Sequence, residues 1–536
     1  MDADNVMSPQ GVEDAGEMEP AITTPRDDEA DSDAGSTTEL FKTSRASRLQ
    51  GISCCQIFSL LIAFLMLVLS IAMMSGCYQL TIYAFLKPQL VISEGSNAYK
   101  LWKETPVPML LKFHVFNVTN PEEVKDGYNP KVTELGPYVW REYHMKENIT
   151  FHPNETVTYY QRRWWVWDQE ESGTNSPNDT IVTLNVIPVT VAWMTRNHFY
   201  AIFVDALFNK LDEKLFINTT VGKILFDGVE DPVLDWLQKE VFPVNDSTNF
   251  LGSGGIAEFD KFAWFYKRNM SLEYDGLFNM KTGTNNLSDL GLIDWWNKEH
   301  GTPFYQPPCN QIVGSAGEIF PPNQQKDKLV FFSSDLCMSA TLFYKEETQF
   351  ANVSGKRYWG TNHTFANSSI VPGNECYCVN DVCAPTGLLN AESCRMGAPA
   401  FLSFPHFLHA DPFLLDSVDG LSPNETEHAF NMDIIPELGV PMNVNARLQI
   451  NLRLLPLKKF RLLRNVPDMY FPTLWFEIKA QMTPELAQHA RTATFIIRSP
   501  FTNVAVWCLL LILAIIIVAL VVFRMWRGYN AVAQGD

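Results

Sequence analysis

Positive charge is scarce in this chain. Forty-one Lys and Arg stand against 60 Asp and Glu, a formal net charge of −19. No basic patch stands out, which excludes a nucleic-acid footprint. Signatures of catalysis are missing too: there is no Gly-x-Ser-x-Gly elbow and no phosphate-loop pattern. The run Leu251-Gly-Ser-Gly-Gly255 reads as a turn rather than a nucleotide-binding loop. No repeat of fixed period is visible. The chain is therefore read as a non-enzyme, with no cofactor implied.

Charge is absent altogether from two long stretches. Leu49 to Leu86 carries none, and neither does Val504 to Phe523. Each is long enough to cross a ~30 Å hydrocarbon core as a helix. The first has no small-residue cleavage site and follows a long acidic tail, so it is not a secretory signal. All twelve Asn-x-Ser/Thr sequons lie between these stretches: Asn117, Asn148, Asn154, Asn178, Asn218, Asn245, Asn269, Asn286, Asn352, Asn362, Asn367 and Asn424. Sequons are useful only in the secretory lumen, so the intervening loop is extracytoplasmic and both termini are cytosolic. Lys42, Arg45 and Arg48 before the first stretch, and Arg524 and Arg527 after the second, agree with that orientation.

The organisation that follows has five parts. Residues 1–50 hold 12 acidic and four basic residues and read as a disordered cytosolic tail. Residues 51–86 form the first membrane helix and its exit, and 87–498 a glycosylated, disulfide-bonded ectodomain. Residues 499–523 form the second membrane helix, and 524–536 a short cytosolic tail. Of ten cysteines, Cys309, Cys337, Cys376, Cys378, Cys383 and Cys394 lie in the ectodomain. An even number in an oxidising compartment implies three disulfides, with 15 pairings open. Cys54 and Cys55 stand at the cytosolic edge of the first span and are palmitoylation candidates; buried free thiols are the competing reading.

Alternation marks strands. Leu448, Ile450, Leu452 and Leu454 share one face of Arg447 to Leu454, with Gln449 and Asn451 on the other. Thr473 to Met482, Met109 to Val118, Thr156 to Trp167, Thr180 to Ile187 and Leu329 to Ser333 read likewise. Helical spacing appears in His198 to Phe216, where Phe199, Ile202, Phe203, Ala206 and Leu207 recur. Asp231-Pro232 opens another helix with an N-cap and a proline at its first position, and Leu287 to Glu299 reads as a short helix. The class is α+β, with an antiparallel β core. His406-Phe-Leu-His409 offers two imidazoles to a metal. No third ligand is identifiable, so the pair is read as structural and no metal is assigned. Zinc at Cys376, Cys378 and Cys383 is set aside for disulfides.

Several strings occur in a telling order: Gly136-Pro-Tyr-Val-Trp-Arg-Glu142, Phe331-Phe-Ser-Ser-Asp-Leu-Cys337, Phe404-Pro-His-Phe-Leu-His-Ala-Asp-Pro412, then Asp419-Gly-Leu-Ser-Pro-Asn424 and Glu427-His428. From about residue 50 to 525 the chain resembles the class B scavenger receptor family. The resemblance implies a β-barrel-like ectodomain with an apical helical bundle and an internal lipid tunnel. It implies disulfides Cys309–Cys376, Cys337–Cys394 and Cys378–Cys383. Lys210 matches a ligand-binding lysine of the fatty-acid translocase branch, although Asp212 and Glu213 follow it here. The implied partners are fatty acids, sterols, carotenoids or lipoprotein particles, met at the plasma membrane or in endosomal and lysosomal membranes. The function expected is a lipid or lipoprotein receptor that captures ligand at the apex and passes lipid to the bilayer. Phagocytic recognition of particles, a sensory pheromone co-receptor acting with a channel, and lysosomal trafficking are the alternatives, and self-association is left open.

Overall fold

The computed structural model describes residues 54–72, 84, 87–236, 260–323, 327–379, 382–498 and 500–533. The acidic tail, Asn245, Cys77 and Leu251 to Gly255 lie outside the described residues. Six helices are used below: α1 (Cys54–Ala72), α2 (Val186–Thr195), α3 (Ala201–Lys210), α4 (Pro232–Trp236), α5 (Pro484–Arg498) and α6 (Pro500–Ala533). The chain divides into two compact units, one holding α1 and most of α6, the other holding residues 73–505.

In the first unit α1 and α6 are long and apolar enough to cross a membrane. Ser70 donates its hydroxyl to the carbonyl of Trp507, tying the two helices at 3.3 Å. Helix α6 runs past Phe523 through Arg524 and Arg527 to Ala533, so most of the expected C-terminal tail is helical. Nothing in that stretch breaks a helix; it has one Gly and no Pro.

The second unit is built on one antiparallel sheet. Its strands are β1 (Met109–Val118), β2 (Val132–Phe151), β3 (Thr156–Trp167), β6 (Leu277–Lys281), β7 (Ile293–Trp296) and β8 (Lys328–Ser333). They continue with β9 (Met338–Phe350), β10 (Val353–Trp359), β11 (Leu389–Asn390), β12 (Ala400–Ser403), β13 (Asn431–Ile435), β14 (Val440–Leu454) and β15 (Met469–Gln481). Two more, β4 (Thr180–Leu184) and β5 (Phe216–Thr220), pair separately. The main order is β7-β6-β3-β2-β1-β15-β14-β13-β10-β9-β8. Its two edges meet through a splice. Ile293 N–H donates to Gly314 O at 2.9 Å, and Phe332 N–H donates to Ser315 O at 2.8 Å. Those bonds satisfy backbone groups on β7 and β8 together, and the sheet is nearly closed as a barrel.

Three readings of the sequence need correction. Gln449 and Asn451 are fully buried, not solvent-facing. The 400–407 segment covers them: Gln449 accepts the His406 N–H at 2.7 Å, and Asn451 donates to Phe401 O at 3.2 Å and Ser403 Oγ at 3.0 Å. Alternation found the apolar face of β14 but could not show that the polar face is covered too. Leu287 to Glu299 is not a helix. A single 3₁₀ turn at Leu287–Asp289 leads into β7, where pairing to β6 overrides local propensity. Thr180 to Ile187 ends as a strand at Leu184, because Val186 begins α2. The cap on α4 is as read: Asp231 Oδ1 accepts the Val233 N–H at 2.9 Å.

Candidate ligand-binding site

Helix α3 ends at Lys210, six residues short of the sequence reading. Asp212 adopts φ 56°, the Glu213 N–H donates to Phe208 O at 2.9 Å and the Asp212 N–H to Asn209 O at 3.4 Å. This is a Schellman stop, and Phe216 goes to β5 instead. The helix buries Ala201, Asp205 and Phe208. The apolar stripe faces the other way: Phe199 is 84% exposed, Ile202 66% and Phe203 71%, with Ala206 exposed beside them. A stripe of that kind on the outside of a domain marks an interaction surface rather than a core. Lys210 is exposed in the last turn, where the helix dipole favours a cation.

The fold supplies charge that the local sequence lacks. The connection between β14 and β15 lies against α2 and α3. Lys459 Nζ donates to Arg196 O at 3.0 Å and His198 O at 3.3 Å. Arg461 donates its backbone N–H to Asp205 Oδ1 at 2.6 Å and its Nε–H to Oδ2 at 3.2 Å, and Phe460 packs on Phe208. Lys458, Lys459, Arg461 and Arg464 are all exposed, and no acid occurs from Pro456 to Pro467. Their link to α3 spans some 250 residues of chain, so only the fold reveals it.

Inside the barrel a cavity of about 170 Å³ lies between β1, β3, β14, β15 and α2. Leu111, Trp165, Phe265, Leu448 and Phe476 give it a largely apolar wall. One end is charged. Arg163 binds Asp275 at 2.7 Å and Asp335 at 3.2 Å; Arg268 binds Asp335 at 2.6 Å. Glu142 faces Arg163 at 3.6 Å and His144 at 2.6 Å. Beyond it His144 and fully buried Lys146 share Glu318. Burial alone would raise the Asp335 pKa, but Arg268 and Arg163 outweigh it and hold the carboxyl well below its usual range. Glu318 is likewise driven down to about 2, burial being overcome by Lys146 and His144. Burial would lower the His144 pKa, yet Glu142 beside it raises it. These charges compensate one another, as buried ions must. Sequence reading missed this network. Its signal was the number of Arg and Lys on strands that otherwise face a core, such as Lys146 and Arg163.

The cysteines pair as Cys309–Cys376, Cys337–Cys394 and Cys378–Cys383, with Cα separations of 5.6, 6.4 and 4.3 Å. Cys55 is exposed at the start of α1; the side chain of Cys54 lies outside the described residues. Among described sequons, nine asparagines are exposed. Asn117 and Asn367 are half-buried: Asn117 Oδ1 accepts the Val182 N–H at 2.8 Å, and Asn367 Oδ1 accepts the Thr386 hydroxyl at 2.9 Å.

His406 and His409 do not converge. His409 stands edge-on to Trp359. His406 meets Glu134 and His428 instead, one potential donor atom from each lying within 4.8 Å of the others. These imidazoles are poor cation ligands as placed. The Ser422 N–H points at His406 Nδ1 and the Asn424 N–H at His428 Nδ1, both at 3.0 Å. A backbone N–H can only donate, so each Nδ1 is a bare acceptor and each Nε2 carries the proton. A metal on Nε2 would require the opposite tautomer.

Two helices of membrane-spanning length thus flank a nearly closed barrel that holds a largely apolar cavity. The chain belongs to the CD36 family, whose family model matches residues 61–523. It is similar to Scavenger receptor class B member 1 of Bos taurus, 34% identical over 439 residues, covering 79% of this chain and 82% of that protein. It is also similar to Protein peste of Drosophila melanogaster, at 32% over 404 residues (74% and 70% covered). Lysosome membrane protein 2 of Homo sapiens matches at 29% over 444 residues (82% and 89%).

Proposed function

We propose that this protein is a lipid-binding receptor anchored in the membrane by α1 and α6, with both termini cytosolic. Ligand capture occurs on the α3 surface. Phe199, Ile202 and Phe203 insert among lipid chains, while Lys210 and the Lys458 to Arg464 cations meet anionic headgroups. The observation that carries this reading is the outward-facing aromatic stripe beside a cationic segment in an otherwise acidic chain. Aromatic and aliphatic anchors bind an interface through burial, at roughly 25 cal/mol per Å² of apolar surface removed from water.

The barrel cavity supports a second step, shelter of lipid removed from the captured particle. A free acyl chain in water costs about 0.8 kcal/mol per methylene, so an apolar path lowers the largest barrier to transfer without an energy source. The class of relative supports a lipid or lipoprotein cargo: fatty acids, sterols or carotenoids. The receptor acts at the plasma membrane, with endosomal and lysosomal membranes as further stations.

The test is uptake of labelled fatty acid, cholesteryl ester, carotenoid and intact lipoprotein by cells expressing wild type, Lys210→Ala or Phe203→Ser at matched surface levels. Saturable uptake of one cargo, reduced in both variants, is expected. Uptake no greater than in untransfected cells for all four overturns transport. Uptake unchanged by both substitutions overturns capture on α3.

A further inference from the structure

The Glu134–His406–His428 cluster is built unlike the other charged sites. Glu134 Oε1 pairs with His114 Nδ1 at 2.6 Å, and Oε2 accepts from His406 Nε2 at 2.6 Å. The His406 ring stacks on His428 at 4.1 Å and 8°. Trp475 stacks on His114 at 3.8 Å and presents its edge to His428 at 5.5 Å. His406 and His428 are almost fully buried, yet each accepts a backbone N–H from one exposed loop, through Ser422 and Asn424. The loop entered at Ser422, which winds into the helical turn Glu425–His428, is therefore held on the barrel through two imidazole acceptors.

A neutral imidazole can accept on Nδ1; a charged one cannot, since both nitrogens then donate. A proton on His428 would set Nδ1–H against the Asn424 N–H. The two donors would then face each other at 3.0 Å, and relief comes from moving the loop. We propose that His428 is an acid-sensitive latch: it holds the 422–427 loop against the barrel at neutral pH and releases it in an acidified compartment.

The surroundings are set against charging His428 in place. His406 lies on it from a second 3₁₀ turn, Pro405–Phe407, Glu134 approaches from β2, His114 from β1 and Arg447 from β14. Trp475 closes the β15 side. Glu134 is the carboxylate that acts on His428 and already serves two imidazoles. Arg447 pairs with Glu477 at 2.8 Å and adds its own clamp, donating to Thr426 O at 3.0 Å and Ala429 O at 3.1 Å. Burial, followed by the neighbouring His406, pushes the His428 pKa from 6.5 down to about 4. The sign is that of a group whose pKa is depressed in the closed state. Closure is fully favoured above the free value of 6.5, and the advantage is lost as pH falls from there toward 4. The released loop carries the Asn424 sequon together with Glu425 and Glu427, the first of which pairs with Lys345 at 3.6 Å. Release would thus shift a glycan and two acids at once.

Hydrogen–deuterium exchange on the full-length glycoprotein in lipid nanodiscs tests this, with rates corrected for intrinsic exchange at about pH 7.4 and about pH 5. In wild type the opening equilibrium of amides 422–429 rises by at least roughly tenfold at the lower pH, with a midpoint between the closed and free imidazole values. His428→Asn retains an acceptor for the Asn424 N–H but cannot titrate, so the loop stays protected at both pH values. His428→Ala loses the acceptor and leaves it open at both. Exchange in wild type that ignores pH, or a His428→Asn protein that responds like wild type, overturns the latch. If His428→Asn does not fold, the wild-type midpoint decides by itself: a response centred outside that interval overturns it as well.

Discussion

The protein holds two gatherings of arginine, and they could hardly be treated more differently. Arg163 and Arg268 are almost fully buried, and each is matched by Asp275 and Asp335. Arg461 and Arg464 sit in the open beside Lys458 and Lys459, and among the described residues Asp205 is the carboxylate paired with the segment. A buried guanidinium without its carboxylate strands a charge away from water, so the inner set is locked into the fold. The outer set is solvated, owes little to stability, and is free to meet a ligand. Residue type alone does not separate the two roles; burial and partner count do.

The sharpest way to break the comparison is inside. Arg163→Ala leaves Asp275 and Asp335 to share Arg268 alone and takes the guanidinium from Glu142; it is expected to cost about 3–5 kcal/mol. The protein would fail to mature, seen as retention of immature glycans, and any surface fraction would melt well below wild type. A mild effect would mean that the network is wet. The polar face of β14 comes next. Asn451→Leu deprives Gln449 Nε2, Phe401 O and Ser403 of a partner, and about 1–3 kcal/mol of destabilisation is expected in thermal unfolding.

At the outer set the expectation reverses. Lys458→Ser with Arg464→Ser should leave the melting temperature in place and weaken binding to anionic vesicles by roughly fivefold per cation removed, an effect that disappears at high salt. A large drop in melting temperature would erase the distinction between the two sets. The smallest effect concerns glycans. Asn178→Gln should remove one glycan from the electrophoretic mass, whereas Asn117→Gln should remove none, because Asn117 is half-buried against β4.

Much of the barrel was legible in the chain. Met109 to Val118 and Thr156 to Trp167 alternate strictly enough to give β1 and β3 their full extents. Strand β2 was not assigned, because its 20 residues include Gly136-Pro137 and charged side chains that pair only once β3 and Glu318 are beside them. On α3 the periodicity picked out the right residues but carried no information about direction: the same stripe would serve a core or a ligand. The cationic surface was invisible for a different reason. Lys210 is followed by two acids in the chain, and the bases tied to its helix arrive from residues 458–464. The histidine pair was half visible. His406 was named, but Glu134 and His428 are partners that no spacing rule connects.

The central pairing of the sheet has one further consequence. Met109 lies opposite Ala480, so the ectodomain's first long strand bonds to its last. During synthesis β1 emerges early and must wait for almost the whole ectodomain before β15, its neighbour, arrives. Until then one edge of β1 is an open template for mispairing. Completion of the barrel is therefore a late event of high contact order. Substitutions in the final strands should accordingly appear as failures of maturation, however far they lie from any ligand.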